Sequence, residues 1–198
     1  MKPDASQRRT HDVDSLTAVA FGVFAGKGFD GASMDDVAAA AGVTKAAIYH
    51  HVPSKEALLE RGLLHALDAL FAVLAEREAT EGRAAGRVRW IVRRVAALTP
   101  GLLPELSVLF RVRGNSPVER RAIERRREFD RIVAGLIAQA QHDGEIRADL
   151  DAGLIARLVF GMSNSVVEWY RPDGAIDADG LAEVLEGVVF GGIAAPAV

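Results

Sequence analysis

The sequence predicts an all-α protein with an N-terminal three-helix domain over residues 10–60 and a larger helical domain over residues 61–198, with about nine helices in all. Apolar residues recur at helical spacing along the chain, and no stretch alternates with period two for long enough to form a strand. Glycine and proline separate the periodic segments. Apolar residues make up 49 % of the 198 residues, which is enough for a sizeable core.

The N-terminal segment carries start and stop signals for three helices and for the beginning of a fourth. The first helix ends at Gly28 and has apolar residues at successive helical positions: Leu16, Val19, Ala20, Val23 and Phe24. Ser33 begins a capping-box-like sequence for a short helix that Gly42 ends. Thr44 is placed to cap the third helix, and Ser54 to cap the long fourth.

Further helices follow the long fourth one. They are predicted around residues 88–95, between Pro100–Gly101 and about residue 110, and over about residues 117–142, 152–170 and 178–193. Ser116 to Glu119 combine a second capping box with Pro117 at the first helical position. Asp143 and Gly144 end that helix.

The composition excludes several classes of protein. The chain has no cysteine, so a disulfide scaffold, a thiolate zinc site and a cysteine nucleophile are excluded. The polar N-terminus is unlike a signal peptide, and the most apolar windows are far shorter than the ~20 residues that span a bilayer. We therefore expect a cytoplasmic protein without membrane contact.

Residues 1–61 carry seven Lys/Arg against eight Asp/Glu, so one copy is expected to bind a polyanion weakly.

Residues 33–52 carry the most informative pattern, two short helices joined by a tight turn at Gly42. This pattern is typical of the helix-turn-helix unit, whose second helix enters the major groove of DNA. Small and apolar residues allow the helices to approach closely: Val37, Ala38, Ala41, Val43 and Ile48. The second helix is expected to present Lys45 to guanine, and Ala46 or Ala47 to a thymine methyl group.

The N-terminal segment resembles the TetR (tetracycline-repressor-like) family of transcriptional regulators over about residues 10 to 70. The matching positions are Ala20, Phe24, Gly28, Phe29, Ser33, Met34, Val37, Ala38, Ala41, Gly42, Val43, Thr44, Ile48, Tyr49, His51, Ser54, Lys55, Glu56 and Leu58. Two positions depart from the family pattern: Ala46 stands where glycine is common, and Val52 where phenylalanine is common.

The resemblance implies a set of DNA-binding residues in this segment: Ser33, Met34, Thr44, Lys45, Ala46, Tyr49, His50, His51 and Lys55. Among them, Tyr49, His51 and Lys55 are expected to hold phosphates. The alternatives are purely structural roles, in which Tyr49 is a core residue and His51 forms a hydrogen bond with a nearby carbonyl group. The resemblance also implies a palindromic double-stranded DNA operator, a homodimer and, as the family's default, repression.

The resemblance further implies that residues 61–198 bind a small effector and form the dimer. The last two helices are apolar over too wide an arc for a surface helix, so we expect part of that arc to pair across a two-fold axis. The predicted dimerisation residues are Leu154, Leu158, Met162, Val166, Leu181, Leu185, Val188 and Phe190. The alternative is a fully internal helical hairpin.

The candidate effector-binding residues are Trp90, Phe110, Arg111, Arg113, Asn115, Asn164, Glu168, Trp169 and Tyr170. The segments around several of them resemble TetR regulators of fatty-acid, sterol and aromatic-acid catabolism, which implies an acyl-CoA effector. The arginine-rich stretch over residues 111–131 could supply cations for its phosphates. The alternative is a solvated helix face, because its arginines and glutamates stand at i, i+3 and i, i+4 spacing.

No pattern in the sequence favours an enzyme. Residues 26–31 match G-x-G-x-x-G, but a helix precedes them and no βαβ unit is present. His50 and His51 are adjacent and point about 100° apart on a helix, so they cannot share a metal ion. No cofactor and no metal are expected. A helix-turn-helix architectural protein without an effector is the alternative function, with an enzyme a distant third.

Overall fold

The computed structural model describes residues 12–193, so residues 10, 11 and 194–198 of the two predicted domains lie outside the described residues. The chain divides into two compact units, Met1–Gly62 and Leu63–Val198. The described residues fold into α-helices, one 3-10 helix and connecting loops, with no β-strand among them. The predicted all-α fold class is therefore confirmed.

Four helices begin in the N-terminal unit: α1 (Val13–Lys27), α2 (Met34–Ala41), α3 (Lys45–His51) and α4 (Lys55–Ala75). The predicted caps are formed. Gly28 ends α1 with a positive φ of 76°. The Ser33 hydroxyl accepts the Asp36 backbone N–H while the Asp36 carboxylate accepts the Ser33 N–H, which completes a capping box.

Aromatic rings fill the core of the N-terminal unit. The ring of Phe24 meets those of Phe21 and Phe29 edge-on, with centroids 5.6 and 5.2 Å away. Gly62 is buried against Phe21, and a Cβ atom at position 62 would overlap that ring. Glycine is therefore required there by the close approach of α4 to the Phe21 ring.

The remaining helices of the described residues lie in the C-terminal unit: α5 (Arg77–Thr80), α6 (Ala84–Leu98), a 3-10 turn (Thr99–Leu102), α7 (Leu103–Arg111), α8 (Pro117–His142), α9 (Ala152–Trp169) and α10 (Ala178–Ile193). Helix α6 packs against α8 and α10, and α9 packs against α7 and α8. The sequence did not predict α5, because four residues are too few to show a helical period. No helix within residues 12–193 is long and apolar enough to cross a membrane.

One predicted cap differs in the structure. The Ser116 hydroxyl accepts the backbone N–H of Glu119 at 3.2 Å, as predicted. The Glu119 carboxylate, however, accepts the backbone N–H groups of Arg113, Gly114 and Asn115 at 3.0, 2.9 and 3.0 Å. The reciprocal capping box predicted at this helix is therefore replaced by a contact to the preceding loop, because the left-handed Gly114 gathers three N–H groups around one oxygen.

Candidate functional site

The tight turn between α2 and α3 fixes the helix-turn-helix. Gly42 is left-handed, with φ 69°, and its N–H donates to the last carbonyls of α2. The Thr44 hydroxyl then accepts the backbone N–H of Ala47 at 3.2 Å and begins α3. Val37 of α2 and Ile48 of α3 are fully buried, so the opposite face of α3 is turned outward.

The outward face of α3 carries the side chains predicted to meet DNA. Its exposed residues are Thr44, Lys45, Ala46, Tyr49, His50 and His51. Tyr49 is 46 % exposed, so the alternative that it is a core residue is wrong. Ala47 is half-buried, which leaves Ala46 as the more accessible methyl group of the two.

Two predicted DNA-binding residues need correction. The Met34 side chain is buried in the N-terminal unit, so it cannot itself lie against DNA. The Lys55 ammonium donates to the carbonyl oxygens of Phe29 and Ala32 at 2.7 and 2.8 Å and lies 4.3 Å from the Phe29 ring centroid. Lys55 therefore fixes the α1–α2 connection instead of presenting an unengaged ammonium to a phosphate. Its partners lie more than twenty residues earlier, and no local pattern signals them.

The other cations of the N-terminal unit are also engaged. Residues 12–62 contain four Lys/Arg and seven Asp/Glu. Lys27 pairs with Asp36, Lys45 with Asp35 at 2.9 Å, and Arg61 with Asp14 at 2.6 Å. The hydrogen bond from Lys27, with those from Ser33, lowers the pKa of Asp36. The Ser33 hydroxyl also donates to Asp36. Asp35 and Asp36 thus place two carboxylates in the first turn of α2, where the sequence analysis predicts contact with the DNA backbone.

An exposed apolar face runs along α9 and α10. Its members lie at helical spacing on one side of each helix: Leu154, Leu158, Met162, Val184 and Val188. Leu158 is 60 % exposed, so the alternative of a fully internal hairpin is wrong for this face. Gly161, Gly187 and Gly191 lie on the same two helices, and a Cβ atom at any of them would meet nothing within 4 Å.

Half of the predicted dimerisation residues do not belong to this exposed face. Four of them are buried within their own subunit: Val166, Leu181, Leu185 and Phe190. They cannot form a subunit interface because their side chains already fill the core of the C-terminal unit. Val184 belongs to the exposed face but is absent from the predicted set. Both helices are apolar on two sides, so the sequence alone could not assign the sides.

The predicted effector residues lie on several elements of the C-terminal unit. Phe110 and Arg111 of α7 lie on the helix that packs against α9, where the Arg111 guanidinium is 3.3 Å from the Glu168 carboxylate. Asn164 is half-buried on α9, and Trp169 is exposed at its end, with its ring 6.5 Å from that of the buried Tyr170.

The remaining predicted effector residues lie on the loop between α7 and α8 and on α6. Arg113 and Asn115 donate their backbone N–H groups to Glu119. Trp90 donates its indole N–H to Glu76 at 2.6 Å. It lines a cavity of about 590 Å³ that contains residues of α5, α6 and α10 but none of α7 or α9. Among the nine predicted effector residues, Trp90 alone lines this cavity.

Carboxylates hold the arginines that line this cavity. Arg94 makes a two-pronged contact with Glu76, whose pKa it lowers, while Arg89 and Arg93 share Glu186 at 2.9 and 3.4 Å. In the arginine-rich part of α8, three guanidiniums bind groups of the same unit. These contacts are Arg120 to the Gly114 carbonyl, Arg125 to Asp68 and Arg126 to the Leu109 carbonyl.

The fold and the outward face of α3 define a helix-turn-helix DNA-binding protein with an all-α C-terminal domain. Two family profiles agree with this class. The profile described as "Bacterial regulatory proteins, tetR family" matches residues 16–61, and "Tetracyclin repressor-like, C-terminal domain" matches residues 81–193. The chain belongs to the TetR family of transcriptional regulators.

Individual relatives cover nearly the whole chain. The HTH-type transcriptional repressor KstR2 of Mycolicibacterium smegmatis is 28 % identical over 98 % of this chain and 96 % of its own length. The HTH-type transcriptional regulator UidR of Escherichia coli K12 is 25 % identical over 84 % of this chain and 83 % of its own. The crystal structure of SCO3833, a TetR-family member from Streptomyces coelicolor A3, is 47 % identical, with a TM-score of 0.84 over 89 % of this chain and 90 % of that chain.

Proposed function

We propose that this protein is a cytoplasmic, non-enzymatic repressor that binds a palindromic operator as a homodimer and leaves it when a small effector binds. The observation that carries the proposal is the outward face of α3, where Lys45 and Tyr49 are exposed while Ile48 anchors the helix. This arrangement is what a recognition helix needs in order to reach base edges. Repression is supported by the relatives named transcriptional repressors.

Dimerisation is proposed because one N-terminal unit is a weak partner for DNA. Its described residues carry a net charge of −3, and each of their lysines and arginines is engaged by another group of the unit. Two half-sites bound together gain affinity through effective concentration without any new contact. The exposed apolar face of α9 and α10 supports pairing with the same face of a second copy.

The dimer is tested by introducing a charge on this face. We expect Leu158→Glu to convert the dimer to a monomer in analytical ultracentrifugation and to weaken operator binding on the order of 100-fold. Ala138→Glu, at an exposed position on α8, is the matched control and should change neither. A Leu158→Glu protein that is folded, dimeric and tightly bound to DNA would rule out this face as the interface.

The contact of α3 with DNA is tested by binding to a duplex selected from a random-sequence pool with the wild-type protein. We expect Tyr49→Ala to weaken binding to this duplex about tenfold, because one base or phosphate contact is lost. Ala138→Glu again serves as the control. Unchanged affinity of a folded Tyr49→Ala protein would contradict the proposed recognition face.

An acyl-CoA or another apolar acid is the proposed effector, and its support is the resemblance of the segments around Phe110–Asn115 and Trp169–Gly174 to catabolic regulators of the family. Calorimetry with acyl-CoAs of several chain lengths, with free coenzyme A as the control, tests this class. Heat of binding together with release of the selected duplex would support it. Neither heat nor release for any chain length would contradict an acyl-CoA effector.

A further inference from the structure

Asp35 lies next to the proposed recognition face but was not predicted to take part in it. It is the second residue of α2, and its side chain is 70 % exposed. Its carboxylate oxygen Oδ2 accepts a hydrogen bond from the ammonium of Lys45, the first residue of α3, at 2.9 Å. The pair therefore joins the two helices of the helix-turn-helix across their turn.

Folding gains little from such a pair, because exposed ion pairs contribute little to stability. The apolar contacts of Val37 and Ile48 already hold α2 and α3 together. The pair has a clear effect on Lys45, however. The hydrogen bond and charge of Asp35 raise the pKa of Lys45, and the neighbouring Tyr49 acts in the same direction. Lys45 thus has one hydrogen-bond acceptor on its α2 side.

The pair has different consequences for two kinds of DNA contact. Sequence-independent binding depends on unopposed cations near phosphates, and a carboxylate 2.9 Å from the ammonium opposes that attraction for every sequence. A guanine edge, in contrast, needs a lysine in a defined place. An ammonium has three N–H donors, so Lys45 can keep Asp35 and still donate to guanine O6 or N7.

We propose that Asp35 is a specificity-determining residue, which suppresses the binding of Lys45 to phosphates in general and positions it for a base edge in the operator. The inference rests on the proposed contact of α3 with DNA. Lys45 is well placed for this role because the other cations of residues 12–62 are engaged away from α3: Lys27 by Asp36, Lys55 by two carbonyl oxygens and Arg61 by Asp14.

The test compares binding of full-length variants to two duplexes, the one selected from a random-sequence pool and a scrambled duplex of equal length. The variants are Asp35→Asn, Lys45→Ala and the double variant, which together form a double-mutant cycle. Asp30→Asn is the matched control, because it removes the same charge from an exposed position of the same unit. Thermal unfolding verifies that each variant is folded.

We expect Asp35→Asn to strengthen binding to the scrambled duplex about two- to fivefold, the range of an exposed ion pair. Binding to the selected duplex should strengthen less, or weaken, so the ratio of the two affinities falls. In the Lys45→Ala background, Asp35→Asn should no longer change this ratio. Asp30→Asn should leave the ratio unchanged in either background.

Other outcomes would overturn the inference in distinguishable ways. If Asp35→Asn and Asp30→Asn strengthen binding to both duplexes by the same factor, Asp35 is only one more negative charge near DNA. The same conclusion holds if the effect of Asp35→Asn persists without Lys45. If Lys45→Ala and Tyr49→Ala both leave the affinity for the selected duplex unchanged, the proposed recognition face fails as well.

Discussion

The two units of the molecule differ in their least exposed charged contacts. In the N-terminal unit the pair between Lys45 and Asp35 is exposed, and water reaches both partners. In the C-terminal unit Glu76 and Arg94 are both about one-third exposed or less, and Glu119 is buried under three backbone N–H groups. The first kind of contact can be exchanged for a ligand at low cost, whereas the second kind holds helices and loops in place.

Exposure, rather than the number of charges, is therefore expected to decide how much a charged contact contributes to stability. The N-terminal unit derives its stability from apolar contacts, such as those among Phe21, Phe24 and Phe29, and keeps its ion pairs at the surface. The C-terminal unit ties α6 to α10 through Glu186 and the start of α8 to the preceding loop through Glu119. Four substitutions test this contrast.

The largest effect is expected in the apolar core of the N-terminal unit. Gly62→Ala should lower the free energy of unfolding by about 3 kcal/mol, because the new Cβ atom overlaps the Phe21 ring. Gly86→Ala, in α6 with nothing within 4 Å of the new Cβ atom, is the control. It should be neutral or stabilising by up to about 1 kcal/mol. Equal urea midpoints for the two variants would refute the close approach.

The second effect concerns the buried carboxylate of the C-terminal unit. Glu119→Gln should cost about 2 kcal/mol in urea denaturation, because three backbone N–H groups lose a charged acceptor. Glu124→Gln, at an exposed position of the same helix, is the control and should be nearly neutral. If the two variants were equally stable, the Glu119 carboxylate would contribute no more to stability than a surface charge does.

The third effect depends on pH. Hydrogen bonds from Arg94 and Trp90 hold the pKa of Glu76 below its ordinary value of 4.5. The bonded carboxylate therefore adds stability above pH 4.5, and this stability is lost as the pH falls through the lowered pKa. We expect Glu76→Gln to cost about 1 kcal/mol near neutral pH and progressively less in acid.

Trp90 can report this change locally, because its indole N–H donates to Glu76. In a Trp169→Phe background, which removes the other tryptophan of the chain, the Trp90 emission should shift as the pH falls below 4.5. The Glu76→Gln variant should not show this shift. A stability difference between the two proteins that is constant from about pH 6 to about pH 3 would contradict the linkage.

The smallest effect on stability is expected at the exposed pair of the N-terminal unit. Asp35→Asn should leave the melting temperature close to that of the wild type, because both partners of the pair are solvated. The same variant is expected to change DNA binding, so it separates stability from function. A large loss of stability would remove the contrast between the two units.

Local sequence predicted the helix-turn-helix well, because its signals lie within a few residues of the groups they contact. Ser33, Gly42 and Thr44 form the capping and turn contacts that their positions predict. Lys55 was mispredicted because its two acceptors lie in another part of the unit. Met34 was mispredicted because burial depends on how α2 packs against α1, which the short apolar pattern does not encode.

In the C-terminal unit, too, residue type alone does not predict which side chains are buried. Leu158 and Val166 lie two turns apart on α9, and both are apolar, yet one is 60 % exposed and the other 1 % exposed. Their residue types could not distinguish the two environments. The direction of each side chain relative to α7 and α8, against which α9 packs, decides which of them fills the core.

By itself, the sequence determined the all-α fold class, the caps of the helix-turn-helix and the family, because each depends on residues close together in the chain. Only the tertiary structure decided which cations are engaged, which apolar face is left exposed and where the predicted effector residues lie. These properties depend on contacts between residues far apart in the chain, such as those of Lys55 and Glu186, and on burial, which no local pattern specifies.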